Sequence, residues 1–150
     1  MRTSQFVTSE RAQSLVEVAL LLPLLVFILL GGADLARAFA LQLAVQNGAR
    51  AGAEAAAIDF SPTSTEARAR ALDEMSRTPA LNTAAATVTV SFKLADGATD
   101  CTPGADPTVA VPCYAVVRVQ YTFRTVTPWP LIPNTANFDR TTVMRMLKSP

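Results

Sequence analysis

The 150-residue chain contains no histidine, and this absence removes several classes of enzyme at once. Catalytic triads with a histidine base and metal sites with imidazole ligands are both excluded. The sequence also contains neither a glycine-rich phosphate-binding loop nor a pair of carboxylates spaced for acid–base chemistry. We therefore expect a protein that is not an enzyme and that uses no cofactor, no metal and no small-molecule substrate.

Positive charge is also scarce. Thirteen Lys and Arg residues face twelve Asp and Glu residues, so the formal net charge is +1, and the sequence has no basic cluster. Binding to nucleic acid depends on neutralising phosphates, and this charge distribution gives such binding no electrostatic support. Half of the residues are apolar, which suits a membrane segment joined to one modest domain.

The most informative part of the sequence is a long apolar run near the N-terminus. No charged residue occurs in the stretch Val18–Ala33, and the run extends back to Leu15 on the other side of Glu17. Its length is close to the ~20 residues that a bilayer-spanning helix needs. Pro23 lies inside the run, where membrane helices tolerate proline if neighbouring groups satisfy the freed carbonyl. A buried core helix or a parallel strand is the alternative, but the length favours a transmembrane segment over residues 13–33.

A short polar leader, residues 1–12, precedes the apolar run, and it has three interpretations. It is the N-terminal flank of a plain membrane anchor, the start of a secretory signal that is cut after Ala38-Phe39-Ala40, or a prepilin leader that is cut off before the apolar run. A secretory signal would place Asp34 and Arg37 between the apolar run and the cut, which is unusual. Glu17 is a costly carboxylate at the mouth of an apolar helix and is rarely found there without a partner.

The motif RAQSLVE at 11–17 resembles the processing motif of TadE-like proteins of the tight-adherence (Flp) pilus system. The segments LPL at 22–24, DLAR at 34–37 and QNGAR at 46–50 match that family's pattern in order and spacing. The resemblance implies a minor pilin or pseudopilin, a structural subunit of a type IV-like pilus assembly system that functions in cell adhesion. The implied partners are the membrane, other pilin-like subunits and a prepilin peptidase.

The same resemblance implies roles for three residues near the leader. A prepilin peptidase would cut between Ala12 and Gln13 on the cytoplasmic face, and Glu17 would become the fifth residue of the mature chain. The family usually has glycine where Ala12 stands. The new α-amine of Gln13 would pair with Glu17 of a neighbouring subunit and set the axial register, since such a pair is stronger in a low dielectric than in water. Snorkelling of Glu17 to the interface is the alternative.

The resemblance also implies a location. We expect a single pass through the bacterial inner or cytoplasmic membrane, with the N-terminus in the cytoplasm, the C-terminal domain outside it, and incorporation into a surface fibre as one destination. The alternative function is that of an unprocessed single-pass surface protein that binds an extracellular partner.

A helix from Leu15 to Ile58 would be roughly 65 Å long, far longer than a bilayer is thick, so residues 34–60 are expected to continue the helix outside the membrane. Small residues recur at every fourth position and form a small-residue stripe: Gly32, Ala36, Ala40, Ala44, Gly48, Gly52 and Ala56. This spacing lets another surface approach closely, although an alanine-rich sequence also produces such a stripe by chance. Asp34 and Arg37 are spaced i,i+3 and are expected to form an ordinary pair on the helix surface.

A small α+β domain outside the membrane is predicted for residues 61–150. The helix is expected to end at 59–62, and Thr63 and Glu66 have the spacing of a capping box at the start of a short helix that ends near Arg77. Alternating apolar and polar residues predict three strands, at 87–94, 115–125 and 138–147.

Two cysteines, Cys101 and Cys113, flank the loop between the first two predicted strands. They do not form a CxxC motif, and outside the cytoplasm they would form a disulfide, whereas in the cytosol they would be free thiols. The order of elements predicts an α+β, pilin-like fold, in which a long N-terminal transmembrane helix is followed by a short helix and a small antiparallel sheet.

Overall fold

The structure is a computed structural model that describes residues 5–58, 63–101, 111–130 and 132–146, with side chains described from residue 12 onward. Its elements are, in chain order, helix α1 (Gln5–Ile58), helix α2 (Ser64–Ser76), a 3-10 turn (Thr83–Ala85) and strands β1 (Thr87–Leu94), β2 (Cys113–Arg124) and β3 (Thr135–Arg145). This order confirms the predicted α+β fold class.

Helix α1 contains 54 residues, with Pro23 inside it, and is therefore about 80 Å long at 1.5 Å per residue. The helix begins well before the apolar run, because it already includes residues 5–14. Every side chain from Ala12 to Leu30 is exposed around the whole circumference of the helix. Among the described residues this is the one helix long and apolar enough to cross a membrane, and its most apolar window is not buried by the rest of the chain.

The second half of α1 lies in a different environment. Buried residues occur in α1 only from Asp34 onward within the described part of the chain. We refer to residues 34–58 of α1, together with α2 and the sheet, as the head domain. The core of the head domain is built from Val45, Ala49 and Ala53 of α1, Ala71 and Met75 of α2, Val88 of β1, and Val117 and Val119 of β2. One continuous helix thus presents an exposed apolar half and a buried half.

Helix α2 begins as its sequence predicts. The Thr63 hydroxyl oxygen accepts a hydrogen bond from the backbone N–H of Glu66 at 3.1 Å, and the same hydroxyl donates to the Glu66 carboxylate at 2.6 Å. The helix ends at Ser76, one residue before the predicted end. Its buried residues are Ala67, Ala71 and Met75, which are spaced four apart and therefore share one face. The predicted break at 59–62 lies outside the described residues.

The three strands form one antiparallel sheet in the order β1-β2-β3. Strand β1 has the predicted bounds, β2 begins two residues earlier than predicted, and β3 begins at Thr135 rather than Phe138. The earlier start of β3 follows from pairing, since Thr135 is the partner of Arg124 at the last position of β2. The predicted end of the third strand at Leu147 was wrong, because the strand ends at Arg145 and the described residue Met146 no longer belongs to it.

A disulfide joins Cys101 to Cys113, with Cα atoms 6.1 Å apart. Cys113 is buried in a second apolar cluster with Ala56, Ala67, Ala115 and Met146. The bond therefore fastens the segment after β1 to the first residue of β2, at the end of the head domain that lies beside the last turns of α1. The predicted pairing of the two cysteines is present in the structure.

Candidate functional site at the junction of the apolar helix and the sheet

The three residues assigned to processing lie on the exposed N-terminal half of α1. Ala12, Gln13 and Glu17 are all exposed, and the Gln13 side-chain amide donates to a Glu17 carboxylate oxygen at 3.2 Å. Asp34, the first buried residue of α1, follows Glu17 by about 25 Å along the helix axis. The fold therefore keeps these residues well away from the head domain.

The small-residue stripe is divided between two environments. Its first three members, Gly32, Ala36 and Ala40, are exposed, whereas its last four, Ala44, Gly48, Gly52 and Ala56, are buried in the head domain. In the buried half, Gly48 faces α2, whereas Gly52 and Ala56 contact both α2 and the sheet. The exposed half follows directly on the apolar run and faces away from the core of this chain.

The two buried glycines show how closely α2 approaches α1. A Cβ atom added at Gly48 would lie 2.5 Å from Cγ of Met75, and one added at Gly52 would lie 2.9 Å from the carbonyl oxygen of Ala67. Cβ atoms in proteins essentially never show contacts this short. The helix accepts the propensity cost of two glycines because the two backbones can then pack closely.

Asp34 is the principal feature that sequence reasoning missed. Its predicted ion pair is present, with Arg37 Nη1 at 3.1 Å from Asp34 Oδ1. The expected surface location was wrong, because Asp34 is only 6% exposed. Its carboxylate accepts three further hydrogen bonds from the segment after β2: from the backbone N–H of Val126 at 3.0 Å and of Thr127 at 3.3 Å, and from the indole N–H of Trp129 at 3.2 Å.

These donors stabilise the ionised form of Asp34 against the cost of its burial. The backbone N–H of Val126 makes the largest contribution to lowering the pKa of the Asp34 carboxyl below its ordinary value of 3.8, and desolvation opposes it. The indole of Trp129, the N–H of Thr127 and the guanidinium of Arg37 lower the pKa further. Asp34 is therefore a carboxylate at neutral pH and attaches the end of the sheet to α1.

The connection between β2 and β3, residues 125–134, is braced by Asn134. We call this segment the β2–β3 loop. The Asn134 side-chain oxygen accepts from the backbone N–H of Trp129 at 2.6 Å and from the Thr125 hydroxyl at 3.1 Å, and its amide donates to the Trp129 carbonyl at 3.3 Å. Three prolines in the loop, at 128, 130 and 133, further restrict its backbone. These hydrogen bonds and prolines constrain the backbone of the loop residues that the structure describes, 125–130 and 132–134.

Trp129 brings this loop onto the apolar run of α1. Its ring centroid lies 6.1 Å from that of Phe27, with an interplanar angle of 54°. A Cβ atom added at Gly31 would lie 3.4 Å from the Trp129 ring, so the indole lies close against the helix backbone. The β2–β3 loop therefore contacts residues that precede Asp34 and belong to the predicted membrane segment.

A groove of about 350 Å³ lies between α1 and the end of the sheet. Apolar side chains dominate its lining, among them Phe27, Leu35, Phe39, Phe123, Ile132 and Phe138. The guanidinium of Arg37 lies over the Phe123 ring at 5.7 Å. In the described part of the chain, no group of three or more His, Cys, Asp and Glu side chains is placed to hold a metal ion. The chemistry of the groove suits contact with an apolar surface.

The fold and this junction suggest a class: a protein whose N-terminal apolar helix is long enough to anchor it in a membrane and continues, within the described residues, as the central helix of a small α+β domain. Residues 12–54 match the family model described as TadE-like protein, which confirms the resemblance found in the sequence. The match covers less than a third of the chain and lies within α1. It suggests a structural protein associated with the tight-adherence pilus. No curated protein and no solved structure matches the chain.

Proposed function

We propose that this protein is a minor pilin- or pseudopilin-like subunit of a tight-adherence pilus assembly system and that its role is structural. The observation that supports this proposal is the continuity of α1 through two environments. Residues 18–30 are apolar and exposed, whereas residues 34–58 form the centre of the head domain without any break in the helix. In such a subunit the position of the head domain is fixed relative to the membrane helix, and therefore relative to whatever that helix packs against.

The exposed half of the small-residue stripe supports packing against other pilin-like subunits. Gly32, Ala36 and Ala40 lie on one face, where another helix can approach closely. Leu35 and Phe39 are largely exposed on the same part of α1 and supply apolar area beside that face. We propose that this part of α1 contacts a neighbouring subunit.

The proposed topology has the N-terminus in the cytoplasm and the head domain outside it. The disulfide between Cys101 and Cys113 supports this orientation, because such bonds persist in oxidising compartments and are rare in the cytosol. A prepilin peptidase on the cytoplasmic face would remove residues 1–12 and leave the complete apolar run on the mature chain. After this cut, the apolar run would anchor the mature subunit in the membrane until the subunit is assembled.

We further propose that Glu17 sets the register between subunits. Removal of the leader would create an α-amine on Gln13, and the Glu17 carboxylate of a neighbour is the complementary charge within the apolar layer. In the isolated chain, Glu17 accepts a hydrogen bond from the Gln13 side chain. This contact shows that the two side chains lie on the same helix face, next to the proposed cut.

Intact mass and N-terminal sequencing of the protein from native membranes test the proposal. We expect a mature chain that begins at Gln13 in cells with an active prepilin peptidase, and a chain that retains the leader when the peptidase gene is deleted. Ala12→Gly introduces the usual residue of the family and should be cut at least as well, whereas Ala12→Leu should block the cut. Pilin-like subunits should copurify with the processed protein.

Two outcomes would contradict this function. A chain that keeps Met1 in cells with an active peptidase would support the unprocessed surface protein. A chain that starts at Leu41 would show that the apolar run is a secretory signal.

A further inference from the structure

We propose that the β2–β3 loop forms a second contact with the membrane and places Val126, Trp129 and Ile132 in the lipid interface where α1 leaves the bilayer. The proposed partner is the boundary between acyl chains and headgroups of a phospholipid bilayer. This inference rests on the membrane anchoring by α1 in the proposed function, but it does not depend on processing or on pilus assembly.

The direction of the sheet brings this loop toward the membrane segment. Strand β2 starts at Cys113, which clusters with Ala56 near the end of α1, and reaches Phe123, whose ring lies beneath the Arg37 guanidinium. It therefore runs antiparallel to α1 and back toward the apolar run. Its end is the part of the sheet nearest the predicted bilayer, and the β2–β3 loop extends further, to Phe27.

The length of the apolar run determines how deep the β2–β3 loop lies relative to the edge of the hydrocarbon layer. From Leu15 to Ala33 the helix rises about 28 Å, close to the ~30 Å hydrocarbon thickness of a bilayer. When this run spans the hydrocarbon, Gly31 lies about 3 Å inside the boundary. The Trp129 indole packs against Gly31 and Phe27, which places it at the depth where tryptophan is enriched in membrane proteins.

The charged residues at this depth also suit the boundary between acyl chains and headgroups. Asp34 follows the apolar run by one residue, and a bare carboxylate there would be costly. Three of its four hydrogen-bond donors come from the β2–β3 loop, so the position of the loop is what satisfies this carboxylate. Arg124, the last residue of β2, is exposed at this end of the sheet, where a cationic side chain can face lipid phosphates.

The remaining apolar side chains of the loop have little cover in the folded chain. Val126 is 73% exposed and Ile132 is 63% exposed. Both belong to a segment that prolines and Asn134 hold in place, and that is continuous with the exposed apolar surface of α1. A lipid interface would cover these side chains and the apolar run together.

Depth-dependent quenching in vesicles tests this proposal. The full chain is reconstituted into vesicles of phosphatidylethanolamine and phosphatidylglycerol, with an NBD fluorophore on Val126→Cys or Ile132→Cys. The native cysteines are both in the disulfide, so the introduced thiol is the one available for labelling. Val143→Cys is the matched control, because Val143 is 56% exposed and pairs with Val116 toward the other end of the sheet.

We expect lipids brominated on their acyl chains to quench the labels at 126 and 132, and aqueous iodide to quench them poorly. The label at 143 should show the reverse pattern. The single tryptophan of the chain gives a measurement without a label, and brominated lipid should quench Trp129 emission in the wild-type protein. Absence of that quenching would contradict the proposal even if the labels were quenched.

A label on Leu25→Cys separates this inference from membrane anchoring itself. If brominated lipid quenches position 25 while positions 126 and 132 behave like position 143, α1 is in the bilayer and the loop contact is refuted. If position 25 is also unquenched, the membrane anchor fails as well. If positions 126 and 132 are shielded from both quenchers, a protein surface covers the loop, which also overturns the proposal.

Discussion

Replacing Gly52 with alanine should destabilise the head domain, although alanine is the better helix former. A Cβ atom at position 52 would lie 2.9 Å from the Ala67 carbonyl oxygen, 3.0 Å from Ala71 Cβ and 3.2 Å from Val117 Cγ1. Two of these contacts are with α2 and one is with the sheet. The first is with backbone, so relief would require α2 to move away from α1.

Two opposing effects determine the size of this change. Alanine in place of a helical glycine contributes about 1 kcal/mol in helix propensity. Overpacking a tight core costs about 1–3 kcal/mol, and the rigid carbonyl at Ala67 favours the upper part of that range. The expected net loss for Gly52→Ala is therefore about 1–2 kcal/mol, or about 2–8 °C in melting temperature for a chain of this size.

Thermal unfolding of the detergent-solubilised full chain measures the effect, with near-UV circular dichroism as the signal of head-domain packing. Gly32→Ala is the control, because a Cβ at position 32 would meet nothing within 4 Å, and it should leave the midpoint unchanged or raise it. If Gly52→Ala melts at or above the wild-type temperature, the close approach of α1 and α2 does not require this glycine and the reasoning is refuted.

Gly48 allows a sharper version of the same experiment. The nearest atoms to a Cβ at position 48 belong to Met75, a fully buried side chain. Met75→Ala alone should cost about 2–5 kcal/mol through the cavity it leaves. In that background Gly48→Ala should be much less destabilising than in the wild type, because the contacts with Met75 Cγ and Sδ are gone and the Ala71 carbonyl oxygen, at 3.1 Å, is the close contact that remains. A Gly48→Ala effect of the same sign and size in both backgrounds would show that the two residues do not meet.

Three further predictions concern Asp34, the disulfide and Glu17. Asp34→Asn should speed hydrogen exchange of the β2–β3 loop amides, whereas Asp73→Asn on the exposed face of α2 should not. The pKa of Asp34 is lowered on folding, so its stabilising contribution should be complete above pH 3.8 and lost as pH falls through the lower folded-state pKa. If Asp34→Asn left the exchange rates of the loop amides unchanged, the carboxylate would not be what attaches the loop to α1. Non-reducing peptide mapping should recover Cys101 linked to Cys113, and reduction should cost about 3 kcal/mol; quantitative thiol labelling in fresh unreduced membranes would contradict the bond. Glu17→Ala should stay in the membrane and still be processed but assemble poorly, and normal copurification with pilin-like subunits would favour simple snorkelling of Glu17.

Features of the fold that depend on neighbours in the chain could be predicted from the sequence. The apolar run, the Thr63–Glu66 capping box and the alternation of β1 each depend on a spacing of a few residues, and all three appear in the structure. The start of a strand could be predicted less well than its presence. Strand β3 begins at Thr135 because β2 continues to Arg124 and offers pairing there, and the alternation within β3 carries no information about its partner.

The candidate site was decided by tertiary structure. The hydrogen bonds to Asp34 come from residues 92 to 95 positions away, so the local pair with Arg37 could be predicted while the burial of the carboxylate could not. The small-residue stripe shows the same limit. A four-residue period determines which side chains share a helix face, because that follows from helix geometry alone. What covers Gly48 and Gly52 and leaves Gly32 exposed is set by where α2 and the sheet pack, and this depends on the whole chain.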